Sequence, residues 1–409
     1  MCNFNMMPII RESRSQNFRH NGYSFQTYLL YFCCHAYRLG CSFNLSVVLF
    51  LACAIQGSSQ TQSPQASAPW PTANWLESKP EVVEMDSTVL NAAEQIYPSL
   101  FPSGYSLLVI RNGHLVSESY FNGQTAETAN HIYSVTKTFV ATLLGVAEQK
   151  GWIDSVGQGV SDLLPEYSIH PKLAALTLKD ILTHRSGVPN SRSSADVRLF
   201  LQAEPESVPG TVFEYNNHAP NIVMAMLDRL AKKGMAGPAS DVRSLAQDNL
   251  FGPLGINVSE WAKGPQGFPQ GGNGLYMSSR DLAKLGYLLL RDGIWEDERI
   301  LAPGWVKAAS EHRAAFDRQK GYGYLNWVRK RSDILNTQQG DVEVQGYFAY
   351  GHRGQFIGIY PELDLLVVTT ADASDATRDT FFVPDLLHDF VRLFIFQSII
   401  KDNRPNGKK

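Results

Sequence analysis

Strand-forming runs lie far apart near the two ends of the chain, with helical periodicities between them, and this order constrains the fold more than any other feature. YSLLVIRNGHLVSESYF, Tyr105 to Phe121, reads as two strands around Asn112-Gly113, a dipeptide suited to a tight hairpin. QGYFAYGHRGQFIGIYPELDLLVVTTAD, Gln345 to Asp372, returns to strand character, and the apolar run VPDLLHDFVRLFIFQSII follows as a closing helix. NIVMAMLDRLAKK and SSRDLAKLGYLLLRDG carry helical spacing in between. The pattern predicts an α+β fold: an antiparallel β-sheet flanked by helices, built from residues 85–175 and 340–402, with an inserted mainly helical domain over 176–339. A site is expected where the two meet.

All five cysteines fall within the first 53 residues, so no disulfide or cysteine–metal framework holds the main domain. Beside them, the apolar run Leu45 to Ile55 is short for a membrane span and reads as the core of a signal peptide or leader over residues 1–57. Ala52-Cys53-Ala54 supplies a small-x-small cleavage site, and residues 58–84 read as a flexible linker. The expectation is an exported protein, periplasmic or extracellular. Membrane attachment would come only through an uncleaved leader or a lipidated Cys53, where Phe50 departs from the preferred Leu. A net charge of -3, without basic runs flanked by aromatics, argues against nucleic acid as a partner.

Chemistry enters at YSVTKTF, Tyr133 to Phe139, at the start of a helix expected over Ser134–Lys150. Ser134 and Lys137 stand three residues apart, on one helical face, where a lysine of lowered pKa can take the serine's proton. The spacing alone is cheap, since Ser398 and Lys401 share it. FEYNN adds Tyr215 as a proton shuttle and Asn217 as an amide that orients the lysine or a carbonyl, although Tyr-x-Asn also occurs at Tyr120 and Tyr324. GHRGQF adds His352 as a hydrogen-bond donor, Gly354 for close backbone approach, and the N–H of Gln355, which with that of Ser134 could face an oxyanion. Read alone, the same segment is a glycine-punctuated hairpin with a surface histidine. His184 invites a Ser-His-Asp reading, but the chain has no Gly-x-Ser-x-Gly elbow and no His-Glu-x-x-His motif. Tyr322, Tyr324, Trp327 and Tyr347 suit either an aromatic pocket or core packing.

YSVTK, LTLKDILTHRSGVP (Leu176–Pro189), Tyr215-x-Asn217, GNGLYMSSRDLAKLG (Gly272–Gly286) and YGHRGQF resemble, in that order, the serine hydrolases related to class C β-lactamases. That family includes penicillin-binding-protein-like esterases, D-amino-acid peptidases and amidases of aminohexanoate oligomers. The resemblance implies a β-lactamase/transpeptidase-like fold, Ser134 as acylated nucleophile, Lys137 as its activating partner, Tyr215 as general base and Asn217 as a positioning residue. It places His352 to Gly354 at the family's edge-strand triad, with Gln355 completing the oxyanion hole. β-Lactamases proper carry lysine where His352 stands, and a histidine is mostly neutral at pH 7. The expected function is therefore cleavage of a small ester, amide or short peptide, without metal or organic cofactor. A true β-lactamase, a D-alanyl peptidase and a non-catalytic penicillin-recognising cell-wall protein are the alternatives.

Overall fold

The computed structural model describes residues 69–190, 196–337, 340–372, 374 and 383–399. The expected leader, the apolar run at Leu45–Ile55, Cys53 and Lys401 lie outside the described residues. Strand β1 (Leu76–Glu77) is followed by helix α1 (Ser87–Leu100) and by the hairpin of β2 (Gly104–Arg111) and β3 (His114–Tyr120). Asn112 and Gly113 turn that hairpin with φ of 50° and 80°, the left-handed pair that a two-residue turn demands. Helix α2 (Thr136–Gln149) comes next, then α3 (Pro220–Lys232) and α4 (Ser279–Leu290). Six strands follow: β4 (Ala314–Ala315), β5 (Lys320–Tyr322), β6 (Trp327–Arg329), β7 (Tyr347–Gly351), β8 (Gln355–Tyr360) and β9 (Leu365–Ala371), before helix α5 (Val383–Phe390).

The nine strands form one sheet in the order β1-β3-β2-β9-β8-β7-β6-β5-β4. Its first long strand pairs with its last, antiparallel, Val109 opposite Val367, so both ends of the domain close a single sheet. The sheet is mixed rather than wholly antiparallel, because β1 runs parallel to β3. Every residue of β8 and β9 is buried, which explains why both read as continuous apolar runs.

Two expectations change. Within residues 69–84, part of the expected flexible linker, side chains are anchored on the fold: Trp75 is buried and donates its Nε1–H to the Arg280 carbonyl, and Trp70 meets Tyr287 edge to face. Strands β4 to β6 fall within the stretch expected to be mainly helical, and at two or three residues each they are too short to show a period of two. Ser398, the twin of Ser134 by spacing, is buried and donates to the Ile395 carbonyl at 2.7 Å, closing a helical turn.

Helix α4 lies on the sheet through a glycine. A Cβ on Gly286 would stand 2.5 Å from Leu366 Cδ1 and 2.6 Å from Ile357 Cγ2. Gly286→Val should therefore lower unfolding stability by about 1–3 kcal/mol, the usual cost of overpacking, read as an earlier midpoint in denaturant unfolding.

Candidate active site

Helix α2 is buried along Thr136–Ala147, and a single 3-10 turn at Tyr133–Val135 brings the chain into it. Ser134 sits in that turn and Lys137 on the first turn of α2, so the expected common face is realised. Lys137 is 1 % exposed, and its amine lies 2.9 Å from Ser134 Oγ, 2.9 Å from Asn217 Oδ1 and 2.7 Å from the Gly272 carbonyl. Burial without a carboxylate partner depresses its pKa to about 7. In the neutral form the amine keeps two N–H donors, and the Gly272 carbonyl and the Asn217 amide oxygen can only accept. The lone pair is then left for the Ser134 hydroxyl.

Tyr215 completes the cluster. Its ring lies 4.9 Å under the Lys137 amine, and burial pushes its pKa up to about 12 against the lowering effect of the nearby Ser134 side chain. Of the two candidate bases, the lysine is thus the one that is free of its proton near neutrality.

What aims Tyr215 and Asn217 is a set of residues that sequence reasoning missed. Asn190 acts as a one-residue strand partner: its Nδ2–H donates to the Tyr215 carbonyl at 3.0 Å and its Oδ1 accepts the Asn217 N–H at 3.2 Å. Asn216, the unremarked middle of FEYNN, turns the other way, accepting the N–H groups of His218 and Ala219 where the chain turns into α3. Asn221 accepts the Gly271 N–H at 2.6 Å and so holds the loop whose carbonyl meets Lys137. Their signal in the sequence was only polarity next to a motif. His184 is fully buried with φ of 51°, its Nδ1 accepts the Asn216 N–H at 3.3 Å, and its ring packs 4.7 Å from that of Tyr215. It supports the tyrosine from behind. Of the other Tyr-x-Asn copies, Asn122 donates to the carbonyls of Pro102 and Gly104, and Asn326 accepts from Thr138 on α2.

GHRGQF differs from the expected edge strand. His352, Arg353 and Gly354 form the turn between β7 and β8, two interior strands of the sheet. Arg353 has φ of 59° and Gly354 of 121°, so strand alternation does not decide where Arg353 points, and the glycine is required by the turn itself. The hairpin presses on the segment that leads into Ser134, since a Cβ on Gly351 would come within 2.3 Å of the Ile132 carbonyl. His352 lies 5.5 Å from the Tyr133 ring, and its pKa is lowered by burial and by the neighbouring Arg353, which leaves it neutral at pH 7. Gln355 is buried, and its side chain bonds both backbone groups of Ala371, at 2.7 and 3.2 Å, tying the turn to β9. Tyr322, Tyr324, Trp327 and Tyr347 are buried, although Trp327 stacks on Tyr215 at 5.7 Å.

A family model named Beta-lactamase matches residues 102–389. The chain belongs to that family, within a serine-hydrolase superfamily. It is similar to an uncharacterized protein of Alkalihalophilus pseudofirmus, 23% identical over 330 residues that cover 74% of this chain and 94% of that protein. Among solved structures it resembles a protein of Bacillus anthracis provisionally named a 6-aminohexanoate-dimer hydrolase, at TM-score 0.59 and 16% identity, covering 80% of this chain and 88% of that one. EstCE1, described as a hydrolase with promiscuous acyltransferase activity, aligns at TM-score 0.58 and 16% identity over 75% of this chain and 98% of its own. A penicillin-binding protein from Bacillus halodurans aligns at TM-score 0.53 and 18% identity, covering 72% and 99%.

A Cβ on Gly272 would lie 2.0 Å from the Asn217 carbonyl oxygen, so Gly272→Ala must push apart the Gly272 and Asn217 segments that together hold Lys137. Labelling of the protein by a fluorophosphonate should slow by roughly tenfold to a hundredfold in this variant, the scale of a misplacement near 1 Å.

Proposed function

We propose that this protein is a serine hydrolase that forms an acyl-enzyme on Ser134 and cleaves an ester or amide bond in a small molecule or short peptide. The observation that carries this reading is the Lys137 amine, buried, of pKa about 7, and in contact with Ser134 Oγ. Neutral Lys137 takes the hydroxyl proton as Ser134 Oγ attacks the carbonyl carbon, and the carbonyl π electrons move onto oxygen. The backbone N–H groups of Ser134 and Gln355 are the donors we assign to that oxyanion. Collapse expels the alcohol or amine, which needs a proton. Tyr215, protonated throughout the neutral range and next to both Ser134 and the Lys137 amine, relays it from the lysine. Water then enters by the same route in reverse and frees the acid.

Within the superfamily we favour the class C-related esterase and amidase branches over β-lactamases. The support is His352, a neutral ring where a fixed cation would serve a substrate carboxylate. Asn217 and His352 are read as substrate-positioning groups, and Gly354 as the hinge of the turn that carries His352. We also propose that the enzyme is exported; the support is the apolar run at Leu45–Ile55 with its small-residue cleavage site.

Three outcomes test this. A fluorophosphonate should label the wild type and not Ser134→Ala, and equal labelling would remove the nucleophile. Tyr215→Phe should lower kcat by about 100-fold, the usual scale for a lost acid–base group, while substrate binding changes little. Because Lys137 acts when neutral, kcat/KM for an ester should rise with pH and level off above about 7. A profile already flat at pH 6 would contradict a lysine base.

A further inference from the structure

Tyr133 has φ of 46°, a left-handed conformation that a bulky residue adopts at a cost, and it immediately precedes Ser134. Its ring is held in a row of four. Tyr276 stacks on His131 at 4.6 Å and 10°, His131 lies 3.8 Å from Tyr133, and Tyr133 lies 5.5 Å from His352. All four rings are part-exposed, and they come from three separate segments that meet beside the nucleophile. His131 is fixed in place because its Nε2 accepts the Gly274 N–H at 3.1 Å. Burial lowers the pKa of both histidines, so the row is uncharged at pH 7. Arg353 and Asp372 act on the Tyr133 hydroxyl with opposite sign.

A second aromatic set, Tyr215 with Trp327 and Tyr322, stands at the Lys137 amine. A proton relayed by Tyr215 must reach the leaving atom, so the leaving group lies on the Tyr215 side of Ser134. Tyr133 directly precedes Ser134, and His352 stands in the turn that leads to Gln355, so the row borders both N–H groups assigned to the oxyanion and with them the acyl carbonyl. We infer that the row from Tyr276 to His352 is the acyl-recognition surface of the enzyme and selects esters or amides of flat, uncharged aromatic acids.

This inference rests on the acyl-enzyme reading, and the test separates the two. Hydrolysis of p-nitrophenyl phenylacetate and p-nitrophenyl hexanoate shares one leaving group, so any difference reports the acyl side alone. The wild type should favour phenylacetate in kcat/KM by roughly three- to tenfold, the range that aromatic pairing provides. Tyr133→Leu and Tyr276→Leu should each reduce that preference, whereas Tyr133→Phe should keep it. Labelling of each variant by a fluorophosphonate reports whether Ser134 is intact. Wild-type enzyme that labels at Ser134 yet hydrolyses hexanoate as well as phenylacetate overturns the inference and leaves the hydrolase reading standing. An undiminished preference in both leucine variants overturns it as well. Failure of the wild type to label at all overturns both.

Discussion

A lysine amine held in a buried position by three oxygens organises this molecule. The oxygens belong to segments far apart in sequence: Ser134 one turn away, Asn217 ahead of α3, and Gly272 in a loop before α4. None is a carboxylate, so no opposite charge offsets the cost of burying the ammonium and the amine is driven toward neutrality. A carboxylate in place of Asn217 would favour the charged form of the amine. The same three contacts that satisfy the lysine also fix the distance from Ser134 to the Tyr-x-Asn segment. Electrostatics and geometry here have a single source.

The fold keeps that arrangement rigid. Pairing of β2 with β9 closes the sheet, and the β7–β8 hairpin is pressed onto the Ile132 carbonyl at Gly351, so the turn carrying His352 is seated against the segment that leads into Ser134. Gln355 and Thr369 secure that turn, the first through both backbone groups of Ala371 and the second by donating to the Gly354 carbonyl at 2.8 Å. Asn190, Asn216 and His184 in turn hold Tyr215 and Asn217. The segments that meet Ser134 are therefore braced independently of one another.

Much of this was legible in the chain. The Asn112-Gly113 hairpin, the helix after Ser134 with its glycine stop at Gly151, and the sheet shared by both ends follow from local patterns that tertiary packing did not override. The side chains that converge on Lys137 were legible too, because each sits in a motif of distinctive chemistry. The contribution of Gly272 was hidden, since it acts through a carbonyl that every residue possesses. Asn190 and Asn216 were hidden because their partners are backbone groups that only the folded chain brings near. The glycines of GHRGQF mark a hairpin between two strand-like runs, as the structure has it, whereas the edge-strand position comes only from the family resemblance; the left-handed φ at Arg353 makes the turn, and no periodicity encodes that.

A base at Lys137 requires that its amine be largely neutral in the resting protein near physiological pH. Its titration can be followed directly by NMR of lysine side chains labelled with 13C and 15N, with Lys137→Met identifying the resonance. A midpoint of about 7 is expected. A midpoint near the ordinary lysine value of about 10.4 would show the amine to be charged and unable to take the Ser134 proton.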